Sequence, residues 1–315
     1  MAKPNRAWRF GMFTHTGNVR QENQDNLAVL LSAPHVRVPM MLAMVADGMG
    51  GHYGGSLASA LAIRLMSEWW QEGPFNQRGY HLDAEQLVSE VAGVFHQINH
   101  CLVQYGEEHN QTTGTTLSAL ILSKSSYYVF HVGDSRIYRY RSPARQSNEQ
   151  ANAGCSDMDT APLDSTYDAV CHAAIIQLTE DQSWVAAQVK NGLMSWDEAR
   201  VHPRRNLLMN CLGVDSFLQV YMQKGDYEPG DLFMLCTDGY HAMFGNAEIA
   251  AHLGNTVDKN LQSRCENLVK LAMQRGSQDN VSVLLVQPPS PAAWRRPAWL
   301  DRLGNWFIRD RHKPF

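Results

Sequence analysis

The stretch Met40-Met41-Leu42-Ala43-Met44-Val45-Ala46-Asp47-Gly48-Met49-Gly50-Gly51-His52 decides how this chain folds. An apolar run of strand length ends on a carboxylate, and glycines follow at once. Such a run can be buried as a strand. The Asp then emerges at the rim of the sheet, and the glycines let backbone approach closely. The same grammar closes the runs at 128–134 and 232–238, which end on Asp134 and Asp238. A mirrored version opens the run at 279–286, where Asp279 comes first. Antiparallel neighbours set the end of one strand beside the start of the next. Asp47, Asp134, Asp238 and Asp279 are therefore expected to converge at one sheet edge.

Outward from that stretch, residues 8–16 and 27–31 read as strands, separated by a polar loop that contains Arg20, Gln24 and Asp25. A helix is predicted over 56–70 with Leu57, Leu61, Leu65 and Trp69 as its apolar face. A second runs over 83–108, burying Leu87, Val91, Val94, Phe95, Ile98 and Leu102. Residues 117–122, 127–132 and 137–141 read as a meander with a turn at Gly133-Asp134-Ser135-Arg136. Residues 142–174 hold few large apolar groups and read as a mobile insertion, since nothing there offsets the entropy of ordering. A strand at 175–178 and a helix ending at Lys190 follow, and Ser195 to Glu198 has capping-box spacing. Residues 206–212 are predicted helical, 217–224 and 231–236 strands, 247–253 and 261–275 helices, and 281–287 the last strand.

At 315 residues, 44% hydrophobic and 18% charged, the chain can bury an ample core, and a formal charge of −4 gives no reason to expect nucleic acid. Six scattered cysteines without a Cys-x-x-Cys pair read as reduced, packed thiols. No run approaches the ~20 apolar residues of a spanning helix, and the start lacks a signal-peptide core; a cytoplasmic body is expected. The Pro-rich 288–291 marks a boundary between residues 1–287 and a tail, 288–315, with six basic against two acidic side chains. Its Trp299, Leu300, Leu303, Trp306 and Phe307 would share one helical face, which suits a partner, an anionic membrane surface or self-packing.

Oxygen ligands from several aspartates, with no His or Cys cluster, suit hard cations such as Mg²⁺ or Mn²⁺. One Asp-Gly is ordinarily a turn, but several carboxylates at strand ends would repel unless a cation compensated them. Two such ions can activate one water against a phosphate, with Arg20 as the cationic fork.

The ordered set Arg20-x-x-x-Gln24-Asp25, Asp47-Gly48-Met49-Gly50-Gly51-His52, Gly114-Thr115-Thr116, Gly133-Asp134-Ser135-Arg136, Leu178-Thr179-x-Asp181, Thr237-Asp238-Gly239 and Asp279-Asn280 resembles the bacterial branch of the protein phosphatase 2C family, metal-dependent Ser/Thr phosphatases. The resemblance spans residues 9–287 and implies an α+β fold, a four-layer αββα sandwich of two antiparallel sheets with helices outside. It implies that Asp47 bridges two Mn²⁺ or Mg²⁺ ions and that the Gly48 carbonyl binds one of them. Asp238 and Asp279 would complete the second site, and Asp134 would serve a third, weaker one. Asp25 would hold metal-bound waters, Arg20 would grip the phosphate, and residues 186–212 would form a flap beside the site. The reaction so implied is direct attack of the activated water on a phosphoserine or phosphothreonine phosphorus.

Two features depart from the family. Gln24 stands where many relatives carry Glu, and the 142–174 insertion is longer than the usual turn. His52 is either the general acid toward the leaving alkoxide or a polar loop residue. Three functions are compatible with the residues: an active phosphoprotein phosphatase, a pseudophosphatase serving as a regulatory binding module, and a hydrolase of small phosphorylated molecules. The intact aspartates favour the first, and the absence of a Gly-x-x-x-x-Gly-Lys loop disfavours nucleotides. The expected counterpart is a Ser/Thr kinase pathway, such as those of cell-wall or secretion-system signalling.

Overall fold

The computed structural model describes residues 8–33, 39–50, 54–73, 83–142, 174–255 and 260–289. His52, the insertion apart from its two ends, and the tail beyond Pro289 lie outside the described residues.

Period-two alternation builds three cores from two sheets. β3 (Met40–Gly50) sends Met40, Leu42, Met44 and Ala46 into one apolar cluster and Met41, Ala43 and Val45 into another. β10 (Leu232–Cys236) and β11 (Val281–Gln287) divide in the same way. Phe233, Leu235, Leu284 and Val286 meet the Met41 side, whereas Leu232, Met234, Val283 and Leu285 face outward into a third cluster. These strands are apolar throughout because both of their faces are covered.

One sheet has the order β1-β11-β10-β7-β8, with β1 spanning Arg9–His15, β7 Arg136–Tyr140 and β8 Ile175–Gln177. The other has the order β2-β3-β5-β6-β9, with β2 spanning Asp25–Leu31, β5 Leu117–Ser123, β6 Ser126–Val132 and β9 Tyr221–Asp226. The short β4 (Thr113–Thr115) pairs with the end of β3. Helices α1 (Gly54–Glu72) and α2 (Ala84–His109) cover the outer face of the second sheet. Beyond the first sheet, α5 (Asp238–His241), α6 (Asn246–Gly254) and α7 (Leu261–Gln274) contribute to its outer cluster. The result is the expected αββα sandwich. Among the described residues no helix is long and apolar enough to cross a membrane.

Several local expectations are corrected. The predicted meander is broken, because β7 pairs with β10 in the opposite sheet and not with β6. Gly133 makes the crossing: its φ is 111°, and an added Cβ would lie 2.5 Å from Thr116 Cγ2. The buried face of α1 is Ala58, Ser59, Ala62, Met66 and Trp70, one position round from the predicted stripe. Small residues win that face because the helix start lies against β3, where a Cβ on Gly48 would sit 2.1 Å from the Gly55 carbonyl oxygen.

Residues 206–212 form no helix. Leu207 and Met209 are exposed there, and Leu212 exchanges backbone hydrogen bonds with Thr115 (N–H to O distances of 2.9 and 3.0 Å). The strand predicted from 217 begins only at Tyr221. The α2 face is buried as predicted, behind an Asp83 cap that accepts from the Glu85 and Gln86 amides. The capping box at Ser195 and Glu198 starts α4 (Trp196–Val201), which follows α3 (Trp184–Lys190).

A buried ion pair pins β7 to the segment that follows β8. Arg136 grips Asp181 through Nε and Nη2, with the shortest contact at 2.6 Å, and donates from Nη1 to Tyr138 Oη. Removing one partner of such a pair strands the other charge in the interior. Arg136→Ala is expected to lower unfolding free energy by about 3–5 kcal/mol, read from urea denaturation, and Arg136→Lys to restore little, because an ammonium cannot make the bidentate grip. A loss within experimental error for Arg136→Ala would contradict this.

Candidate active site

The sandwich brings its acidic strand ends to one end of the seam between the sheets. Asp25 at the start of β2 is the register partner of Asp47 in β3. Asp134 follows β6, Asp238 follows β10 and opens α5, and Asp279 precedes β11. The charge of Asp47 is felt by Asp25, Asp238, Asp134 and Asp279, so the carboxylates of both sheets form one cluster. Arg20, on the loop after β1, reaches the same place and donates from Nη2 to Asp279 Oδ2 at 2.7 Å. Of the residues singled out in the sequence, the structure thus gathers Arg20, Asp25, Asp47, Gly48, Asp134, Asp238 and Asp279.

Neighbouring polar groups hold this arrangement. Asp25 Oδ2 accepts from Thr237 Oγ1 (2.9 Å) and Ser282 Oγ (2.6 Å). The Asp47 amide donates to Thr116 Oγ1, and its carbonyl accepts from Thr115 Oγ1, each at 2.9 Å. Asn280 stitches the loop that carries Arg20: its Nδ2 donates to the Thr16 and Glu22 carbonyls, and its Oδ1 accepts from the Gln24 amide. The Gly48 amide is spent on the Gln24 carbonyl (3.1 Å). Thr237, Ser282 and Asn280 were given no role from sequence. The available signal was a lone hydroxyl inside an otherwise apolar run, as in Val281-Ser282-Val283.

The electrostatics are those of a site built for positive charge. Burial raises Asp25 to about 7 and, with repulsion from Asp279, Asp238 to about 6. Burial together with neighbouring carboxylates pushes Asp47 and Asp134 well above the usual range. Asp47 and Asp238 bear on each other's ionisation, an arrangement that favours a shared proton or a cation between them. Asp25 Oδ1 is buried with no hydrogen-bond partner. By contrast Asp181, equally enclosed, is held below the carboxylate range because its pairing with Arg136 outweighs the burial.

Among the described residues no group of three or more His, Cys, Asp or Glu side chains is arranged to hold an ion unaided. The side chains that converge here offer oxygen, and hard octahedral ions such as Mg²⁺ or Mn²⁺ complete a carboxylate shell with carbonyl oxygen and water. The donor set of oxygens alone fits the same ions. His241 is buried, its Nε2 lies 3.0 Å from the Asp134 carbonyl, and burial lowers its pKa to about 3.

A cleft of about 480 Å³ opens beside Arg20, Asp238 and Asp279. A second, of about 320 Å³, continues past Asp238 and Asp134 to Arg136 and Trp196.

A two-sheet sandwich with an all-oxygen acidic centre in an open cleft defines a metal-dependent hydrolase of phosphate esters, and comparison with known proteins places the chain more narrowly. The protein phosphatase 2C family model matches residues 17–273. The chain is 30% identical over 276 residues to the serine/threonine phosphatase stp of Listeria welshimeri, covering 87% of this chain and 93% of that protein. It superposes on the S. agalactiae serine/threonine phosphatase with a TM-score of 0.71 at 25% identity, over 90% of this chain and 100% of that one. The catalytic domain of PstP, solved in complex with 2 manganese ions, gives a TM-score of 0.65 at 22% identity over 89% and 97%. The chain belongs to the protein phosphatase 2C family. It is a metal-dependent protein serine/threonine phosphatase of the bacterial type.

The raised carboxylates fix a sign for stability. A carboxylate whose folded pKa exceeds its unfolded value near 3.8 makes the native state bind more protons, so stability falls as pH rises between the two values. The aspartates therefore pull the chelated protein toward lower stability from about pH 4 to about pH 7, while the buried neutral His131 (about 4) and His241 (about 3) pull the other way, so the aspartate contribution is read from the metal effect and from Asp47→Asn. Adding Mn²⁺ should raise Tm more at pH 8 than at pH 5. Asp47→Asn should raise the Tm of the chelated protein at pH 8 and abolish most of the Mn²⁺ effect. Differential scanning calorimetry decides it; a Mn²⁺ effect as large at pH 5 as at pH 8, or one that survives Asp47→Asn, contradicts the assignment.

Proposed function

We propose that the acidic cluster is the catalytic centre of a phosphatase that hydrolyses phosphoserine and phosphothreonine in proteins by direct attack of water, without a phospho-enzyme, in opposition to a Ser/Thr kinase. The observation that carries this reading is the convergence of Asp25, Asp47, Asp134, Asp238 and Asp279 from both sheets, with Arg20 at its rim. Residues 1–287 would form the catalytic unit, and 186–212 its flap.

Asp47, the Gly48 carbonyl, Asp238 and Asp279 would hold two Mn²⁺ or Mg²⁺ ions, and Asp134 with Asp238 would serve a third. When bound, such ions supply Lewis acidity toward water and toward phosphoryl oxygen. The remaining work falls to the chain. Arg20 is half exposed and planar, so its fork can turn between Asp279 and a substrate phosphate, orienting the ester for in-line displacement. Asp25 offers its unpartnered Oδ1 as the acceptor for a water proton, while Thr237 and Ser282 hold the other oxygen still. The cleft excludes nothing bulky, so a phosphorylated side chain on a polypeptide can enter.

Hydrolysis of a phosphothreonine peptide tests the reading, run with Mn²⁺, with Mg²⁺ and with chelator. Turnover should need the metal, and Asp47→Asn or Asp279→Asn should each reduce kcat by about a thousandfold or more. Arg20→Ala should act mainly through KM, by about tenfold to a hundredfold, since it removes a charge-assisted contact to the phosphate. Unchanged turnover in Asp47→Asn would sink the assignment.

A further inference from the structure

The second cleft does not end at the acidic centre. Past Asp181, Ser183 and Trp196 it opens into a groove of about 1020 Å³, and those three side chains line both spaces. The first cleft joins the second in the same way, through Asp238, Arg205 and Asn206. Three clefts thus adjoin one another in series, from the Arg20–Asp279 pair, past Asp238 and Trp196, to the segment between α3 and β9.

The far wall is unlike the rest of the series. Trp196, Met209, Val214 and Phe217 line it, at 49, 65, 50 and 75% exposure. Its nearby charges are already engaged: Glu180 pairs with Lys190, Asp181 with Arg136, and Asp215 Oδ1 accepts from the Phe217 amide. Clustered large apolar side chains left in water mark a contact surface. The surrounding backbone is fixed, with the Met209 amide bonded to the Gln182 carbonyl and Asn210 Nδ2 to Gln182 Oε1 and the Gln219 carbonyl. The surface is presented on a bonded frame.

We infer that this groove receives the polypeptide of the phosphoprotein substrate, and that the enzyme selects phosphoserine or phosphothreonine sites flanked on one side by large apolar residues. The inference rests on the phosphatase reading above. Adjacency of the groove to the acidic centre names the occupant: among the described residues, a chain whose phosphate lies by Arg20 and Asp238 can pass over Trp196 onto this wall. What this wall itself offers a flanking residue is apolar surface to bury, which a polar side chain uses less well.

Steady-state kinetics with two phosphothreonine peptides tests it, one with Leu and Phe on both flanks and one with Ser in their place. A small aryl phosphate, too short to reach the groove, serves as the reference for each enzyme. Wild type should show a KM about tenfold lower for the apolar peptide at similar kcat, the worth of burying one such side chain. In Met209→Ser/Phe217→Ser that ratio should fall toward one; both positions are largely exposed, so folding is not at stake. Equal KM values in wild type, or a preference that survives the double substitution, would overturn the inference while aryl phosphate turnover leaves the phosphatase reading standing. A wild-type dimer that the double substitution dissociates would assign the groove to a second copy and overturn it as well. No turnover of any of the three esters would remove the phosphatase reading, and this inference with it.

Discussion

Repulsion among carboxylates that cannot all be charged together is the constraint on which the rest of this structure depends. Asp25, Asp47 and Asp238 lie where burial and one another's charge oppose ionisation. Left to itself such a cluster would separate. It persists because Asp47, Asp238 and Asp279 are fixed at the ends of β3, β10 and β11, strands buried along nearly their whole length, so that moving one carboxylate means moving a strand. The cores around Met41, Val45, Leu235 and Leu284 hold the charges together, and a divalent cation can convert the resulting strain into affinity.

The sandwich suits this task because it has two sheets and not one. β2 and β3 bring Asp25 and Asp47 from one side of the seam, and β10 and β11 bring Asp238 and Asp279 from the other. A single sheet places neighbouring side chains in one plane, whereas two sheets place them around a point. The linkage across the seam is made by hydroxyls: Thr237 and Ser282, on the strand ends of one sheet, donate to Asp25 on the other. Substituting either would loosen the register of the two sheets at the place where it matters most.

What was legible in the sequence follows from the same physics. Strand-end aspartates could be read because each closes or opens an uninterrupted apolar run, and the α2 face because its spacing and its Asp83 cap agree. Three features were not legible. Gly133 redirects the chain into the other sheet, which depends on a positive φ and on Thr116 beneath it, neither visible in a run that otherwise looks like a hairpin. The buried stripe of α1 follows the small residues, because Gly55 meets Gly48 there and size overrides hydrophobicity. Residues 206–212 have helical spacing and no helix, since Thr115 and Ser183 claim their backbone as bridge partners. In each case a distant segment decided the outcome.

Asp181 and Asp47 show how one residue type serves two ends. Both are enclosed. Asp181 has a guanidinium in bidentate contact, falls below the usual carboxylate range and fastens the fold. Asp47 has only other carboxylates about it and rises well above that range. Arg136 could in principle have served either, but its position on β7, opposite Cys236 in register, directs it to the segment after β8 and away from Asp47. Arg20 brings a cation to the rim of the cluster from an exposed loop, paired with Asp279. Permanent positive charge stabilises the frame; exchangeable positive charge is kept for the site. A centre that must take up metal and phosphate in turn requires that division, and a fold built for stability alone would have no reason to make it.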